Sequence, residues 1–255
     1  MDGLAKKLAG TRQLLVPILG ETRARNLAPL GHGAADAALR GGLMRGALHE
    51  VFAADTAGFG FALGLARRAA ATKRLLWIVQ DYSALEHGQV CATGLAELGI
   101  DPACVLLLRA ANATDALRAF ADALSCSALG AVIAEIPGHP KILDLTASRR
   151  LVLGAQASGV TAVLLRSEAG IEPSAAQTRW LVRGARSANT DDWGHPRFDA
   201  DLVRNRLGET GRWTMEWCCD DGVFAEPREP AAHPGAVAAQ ACDRPASAPP
   251  QRRAV

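Results

Sequence analysis

Aromatic side chains make up only 5% of this chain of 255 residues, with a single tyrosine, whereas hydrophobic residues as a class reach 49%. Abundant alanine and few aromatics suit closely packed α/β layers better than a sandwich or a barrel. A dominant charge sign is missing too: 28 Lys and Arg against 26 Asp and Glu leave a formal +2. Composition therefore does not mark a nucleic-acid binder. No apolar run is long enough for a membrane span, and the opening residues MDGLAKKLAGTRQLL hold no signal-peptide core. These two absences point to a cytoplasmic protein. The six cysteines (Cys91, Cys104, Cys126, Cys218, Cys219, Cys242) form no C-x-x-C pair and no zinc-like spacing, and the histidines are equally scattered. Neither a metal centre nor a disulfide framework is expected.

What is present is an alternation. Apolar runs at Leu48–Phe52, Leu75–Val79, Val105–Leu108, Ala131–Ile136 and Val160–Leu165 read as buried strands. Between them Ser83–Leu98, Thr114–Leu124 and Leu143–Ala157 carry apolar residues at helical intervals, and Phe61–Arg68 does the same after the first strand. Strand and helix in turn imply a mostly parallel sheet covered on both faces. Leu202–Arg206 and Trp213–Trp217, separated by a Gly-Glu-Thr-Gly turn, read as an antiparallel hairpin at the sheet edge. Leu4–Leu19 reads as an amphipathic helix. From Ala225 onward Pro, Ala, Gln and Arg dominate without apolar periodicity, the composition of a disordered tail. The expected organisation is an N-terminal helix and linker over 1–29, a core over 30–224 and a tail over 225–255.

The loop after the first strand, in LHEVFAADTAGFGFALGLA, is laid out like a phosphate-binding loop without the residues that grip phosphate. Such a loop needs G-x-x-x-x-G-K-[ST], with backbone amides around the phosphates, Lys on the outer ones and a hydroxyl on Mg²⁺. Set on that template, Ala53 and Gly58 stand at the two glycines, Phe59 at the Lys and Gly60 at the hydroxyl residue. A charged hydrogen bond is worth roughly 1.5–3 kcal/mol, so loss of the Lys alone weakens ATP binding by about one to two decades. Asp55, Thr56, Gly58, Gly60 and Glu135 are the candidates for a degenerate nucleotide site. Gly58-x-Gly60-x-x-x-Gly64 followed by a strand and Asp81 also imitates a dinucleotide fingerprint, although Ala53–Ala57 intervene between strand and first glycine.

Several passages in order resemble the RecA-type recombinase core: LGHGAADAALRGGLMRGALHEVF before and into the loop strand, LLWIVQDYSAL at the second strand, LGIDPACVLLL, and AVIAEIPG with Glu135 at the position of an acid linked to Mg²⁺. More narrowly, the run Gly41-Gly42-Leu43, Gly46, His49-Glu50, the altered loop and the closing NRLGETGRWTMEW are similar to the ImuA family, RecA-related proteins of bacterial damage-induced mutagenesis operons. The resemblance covers Leu30 to Trp217. It implies a RecA-like P-loop NTPase fold and a non-catalytic adaptor in SOS-induced translesion synthesis, without a cofactor. The implied partners are an ImuB-type Y-family polymerase homologue, RecA and, indirectly, an error-prone C-family polymerase. Whether DNA is touched directly is left open. Departures from an active recombinase accompany the match: Tyr82, beside Asp81, stands at the catalytic glutamate, and Arg166-Ser167 at the phosphate-sensing glutamine.

Arginines gather late in the chain, at Arg179, Arg183, Arg186, Arg197, Arg204, Arg206 and Arg212. They fit salt bridges to Glu209, Glu216 and Asp201, a docking surface for an acidic partner face, for which Arg179, Arg183 and Arg186 are the candidates, or contact with single-stranded DNA. Trp180 and Trp213 lie in strand-like contexts that suggest core rather than base-stacking platforms. His49 and Glu50 alternate faces of one strand and cannot serve one site together.

Overall fold

The computed structural model describes residues 26–186 and 194–227. The Leu4–Leu19 helix and nearly all of the tail fall outside these residues. Two short strands, β1 (Leu27–Ala28) and β2 (Leu43–Met44), pair with each other around a first helix, α1 (Gly33–Ala38). The main body is a nine-stranded sheet. Its parallel strands are β3 (Leu48–Ala53), β4 (Arg74–Gln80), β5 (Val105–Ala110), β6 (Leu129–Glu135), β7 (Thr161–Ser167) and β8 (Thr178–Gly184). Antiparallel strands β9 (Arg197–Asn205), β10 (Gly211–Cys218) and β11 (Val223–Ala225) extend it on one side. The order across the sheet is β11-β10-β9-β8-β3-β7-β6-β4-β5.

The five apolar runs are all strands, and the expected hairpin is β9–β10, with β9 starting five residues before Leu202 and β10 reaching from Gly211 to Cys218. Strand β8 carries no apolar run or clean alternation, being buried at Thr178–Trp180 and exposed at Leu181, Arg183 and Gly184, and β11 carries the sheet to Ala225, beyond the Trp217 limit of the resemblance. Every residue of β6 is buried, as is all of β7 except Ser167, which is why central strands of a covered sheet read as unbroken apolar runs. This α/β architecture with a large, mostly parallel sheet is compatible with a RecA-like core.

Helices cover both faces. On one lies α2 (Ala57–Ala70), packed across β6, β7 and β8. Its Gly64 has no room for a side chain: a Cβ there would lie 2.5 Å from the Phe224 ring. The contact brings Phe61, Phe198 and Phe224 together, with ring centroids 5.2–6.1 Å apart. On the other face lie α5 (Ala113–Ala123), capped by Asn112, and α6 (Leu145–Ser158), capped by Asp144, over a second buried cluster. The stretch 83–98 forms two helices, α3 (Asp81–His87) and α4 (Ala92–Glu97), because Cys91 Sγ accepts from the Gly94 amide and starts a new cap. Among the described residues no helix is long and apolar enough to cross a membrane.

Candidate functional site

The loop from β3 to α2 is only Ala54–Thr56, and Gly58 and Gly60 lie inside the helix. The glycines are there for packing. A Cβ on Gly58 would sit 2.2 Å from the Ala53 Cβ, and one on Gly60 would be 3.3 Å from the Phe198 ring. The first three amides of α2 are already engaged. Asp55 Oδ1 accepts from Ala57 N at 3.0 Å, while Gly58 N and Phe59 N donate to the carbonyls of Asp55 and Thr56 at 3.4 and 3.2 Å. Asp55 Oδ2 accepts from Gly184 N at 3.0 Å, pinning the loop to the end of β8. Thr56 is exposed and makes no side-chain cap.

Phe59, at the expected Lys position, turns toward α3, where its ring meets His87 at 5.3 Å between centroids. Glu135, at the end of β6, is 3% exposed. Its Oε1 accepts from the Trp77 indole at 2.5 Å. Burial pushes its carboxyl up from the ordinary 4.5 to about 7, against the smaller opposing pull of Trp77 and of the neighbouring Ser83 hydroxyl. Tyr82 is 49% exposed and Asp81 is paired with Arg109 at 2.7 Å. For the dinucleotide alternative, the glycines Gly58, Gly60 and Gly64 all lie within α2, and the half-exposed Asp81 is paired with Arg109. A nucleoside triphosphate with Mg²⁺ does not fit these residues. The Asp55 carboxylate occupies the helix N-terminus, no Lys stands where the outer phosphates would lie, and Glu135 has no acidic neighbour with which to hold a cation. Among the described residues no three His, Cys, Asp or Glu side chains converge.

The late arginines are divided. Arg179 is buried; its Nε donates to Glu50 Oε2 at 2.9 Å and its Nη2 to Ser174 Oγ and the Glu172 carbonyl at 2.8 Å. Only Arg183 and Arg186 of the three candidates present charge to solvent. Glu216 pairs with Arg197 at 2.6 Å, whereas Arg204 and Arg206 donate to the Ser174 and Ala175 carbonyls. Arg166 is also buried, donating to the Ile136 and Gly138 carbonyls, and both Arg166 and Arg179 lie over the Phe52 ring, 5.6 and 5.8 Å from its centroid. Trp180 is fully buried against Phe61.

His49 and Glu50 do serve opposite faces. His49 is fully buried, its Nε2 donating to the Met44 carbonyl at 2.8 Å and its Nδ1 accepting from Thr178 Oγ1 at 2.7 Å. The Met44 carbonyl can only accept, which places the ring proton on Nε2 and leaves Nδ1 to accept; the Trp180 indole donates to the same Thr178 oxygen. Burial lowers its pKa from 6.5 to about 4, partly offset by the Met44 carbonyl. Sequence reasoning overlooked the apolar cavity beside Glu135. Its walls come from elements far apart in the chain, and only the unusual Trp77–Glu135 pairing on adjacent strands hinted at it.

Fold and loop together define an α/β protein with a large, mostly parallel sheet and a short strand-to-helix turn between β3 and α2. No protein-family model matches the chain. It is 30% identical over 197 residues to Protein ImuA of Caulobacter vibrioides, an alignment covering 69% of this chain and 77% of that relative. A second strain of that bacterium has a protein of the same name with the same identity and coverage. The chain belongs to the ImuA family.

Proposed function

We propose that this protein is a non-catalytic, RecA-like adaptor in damage-induced mutagenesis, acting with SOS-induced translesion synthesis. Its partners in this reading are an ImuB-type polymerase homologue and RecA, with the error-prone C-family polymerase reached through them. Membership of the ImuA family supplies the setting. The observation that carries the non-catalytic part is the loop itself: the first three amides of α2 are hydrogen-bonded within the protein, and Phe59 stands where a cation would be needed. Catalysis of phosphoryl transfer is almost wholly charge stabilisation and positioning, and this loop supplies neither. The role left for a RecA-like surface is contact, with a face that joins like protomers reused for a different partner. Arg183 and Arg186 are the exposed cations offered to an acidic partner face.

Size-exclusion co-elution of the purified chain with the ImuB-type protein and RecA of its own bacterium, with and without ATP, tests the reading. A complex indifferent to ATP is expected. An ATP-dependent complex, ATP turnover that disappears in Glu135→Gln, or no complex in either condition overturns it.

A further inference from the structure

A cavity of about 520 Å³ opens between the N-terminal half of α2, the C-terminal ends of β4 and β6, and the α3–α4 segment. It is within the size range of small-molecule sites. Phe59, Leu63 and Leu95 supply apolar walls, no Lys or Arg lines it, and its histidine, His87, lies against the Phe59 ring. Thr56 and Gln89 also line it, and two polar groups in its wall, Glu135 and Ser83, are buried. Glu135 receives the Trp77 indole on Oε1, which leaves Oε2 to accept from elsewhere. Ser83 Oγ is buried near that carboxyl yet makes no hydrogen bond of normal geometry, although the residue is only 2% exposed. The hydroxyl leans on the Glu135 carboxyl without a well-formed bond, and its place in the cavity wall leaves its oxygen open to a donor from a ligand.

We propose that this cavity is a binding site for a compact apolar or aromatic group ending in an ammonium, which donates to Glu135 Oε2 and Ser83 Oγ while its stem packs on Phe59, Leu63 and Leu95. Charge decides the class. A phosphate or carboxylate would meet Glu135 with no Lys or Arg in the walls to offset it, whereas an ammonium supplies the counter-charge that the buried carboxyl lacks. Glu135 is poised for this. With its carboxyl near half-protonated at neutral pH, little free energy is needed to ionise it when a cation arrives. The inference is independent of the adaptor reading, since a complex can form without the cavity being used and the cavity can be used without a complex.

The test is calorimetric titration of the full chain at pH 7.5 with three probes on one frame: phenethylamine, 2-phenylethanol and phenylacetate. Phenethylamine is expected to bind at least about tenfold more tightly than the alcohol, the difference between a charged and a neutral hydrogen bond. Phenylacetate is expected to be the weakest. Glu135→Gln should bring the amine to the level of the alcohol while leaving the alcohol within about threefold, and Ser83→Ala should weaken both. Near-UV circular dichroism reports whether each variant keeps its packing, and the wild-type order decides the matter by itself if one does not. Absence of saturable binding by phenethylamine up to about 10 mM, weaker than the affinity expected of a well-seated fragment, overturns the proposal. So does phenylacetate binding as tightly as the amine. Repeating co-elution in saturating phenethylamine identifies the source: a displaced partner places the ammonium on a partner's lysine, and an undisturbed complex places it on a free small molecule.

Discussion

Replacing Glu135 by glutamine should change how stability depends on pH, by an amount the structure allows to be worked out. Burial raises the Glu135 carboxyl from 4.5 to about 7, so between these values the folded protein holds a proton that the unfolded chain releases. Its contribution is therefore fully present below pH 4.5 and is lost as pH rises through 7. With each pKa unit worth about 1.4 kcal/mol, the loss between pH 5 and pH 7 is about 2 kcal/mol. His49 acts with the opposite sign. Lowered from 6.5 to about 4, it stabilises fully above pH 6.5 and the contribution is lost as pH falls toward 4. Near pH 5.5 the two slopes nearly cancel in the wild-type protein. A glutamine side chain at this position keeps an acceptor oxygen for the Trp77 indole but does not titrate, so Glu135→Gln exposes the His49 slope, about 1.2 kcal/mol per pH unit near pH 5.5. Urea unfolding at half-unit steps from pH 5 to 7.5 is the assay. The stability difference, variant minus wild type, should climb by about 2 kcal/mol from pH 5 to pH 7. A difference that stays constant within about 0.5 kcal/mol would refute the account of Glu135, because His49 and every other titration cancel in the comparison. A flat profile in the variant itself would refute the account of His49.

Two further perturbations separate packing from chemistry. Gly58→Ala forces a Cβ to within 2.2 Å of Ala53 and should cost about 1–3 kcal/mol in urea denaturation, as overpacked cores do; a neutral outcome would return Gly58 to a loop role. Arg179→Met strands Glu50 as a buried, unpaired charge and should cost about 3–5 kcal/mol by the same assay, whereas Arg183→Glu on the surface should stay within about 0.5 kcal/mol.

The sequence by itself determined the α/β class, five of the six parallel strands, the main helices between them and the antiparallel hairpin. These depend on local hydrophobic periodicity, which a chain carries wherever it goes. Laid on the template of a phosphate loop, the sequence also puts Phe59 and Gly60 where that template has Lys and a hydroxyl residue. Only the tertiary structure decided how short that loop is: Gly58 lies inside α2, packed so closely on Ala53 that a Cβ has no room. The ion pair of Glu50 and Arg179 joins residues 129 apart in sequence. It depends on β8 docking beside β3 in one register, Glu50 opposite Arg179, and no local pattern encodes that choice. The cavity over Glu135 has the same origin. Trp77, Ser83, Leu95 and Glu135 are ordinary residues one by one, and they become a site only because crossover connections bring two strand ends and three helices to one place.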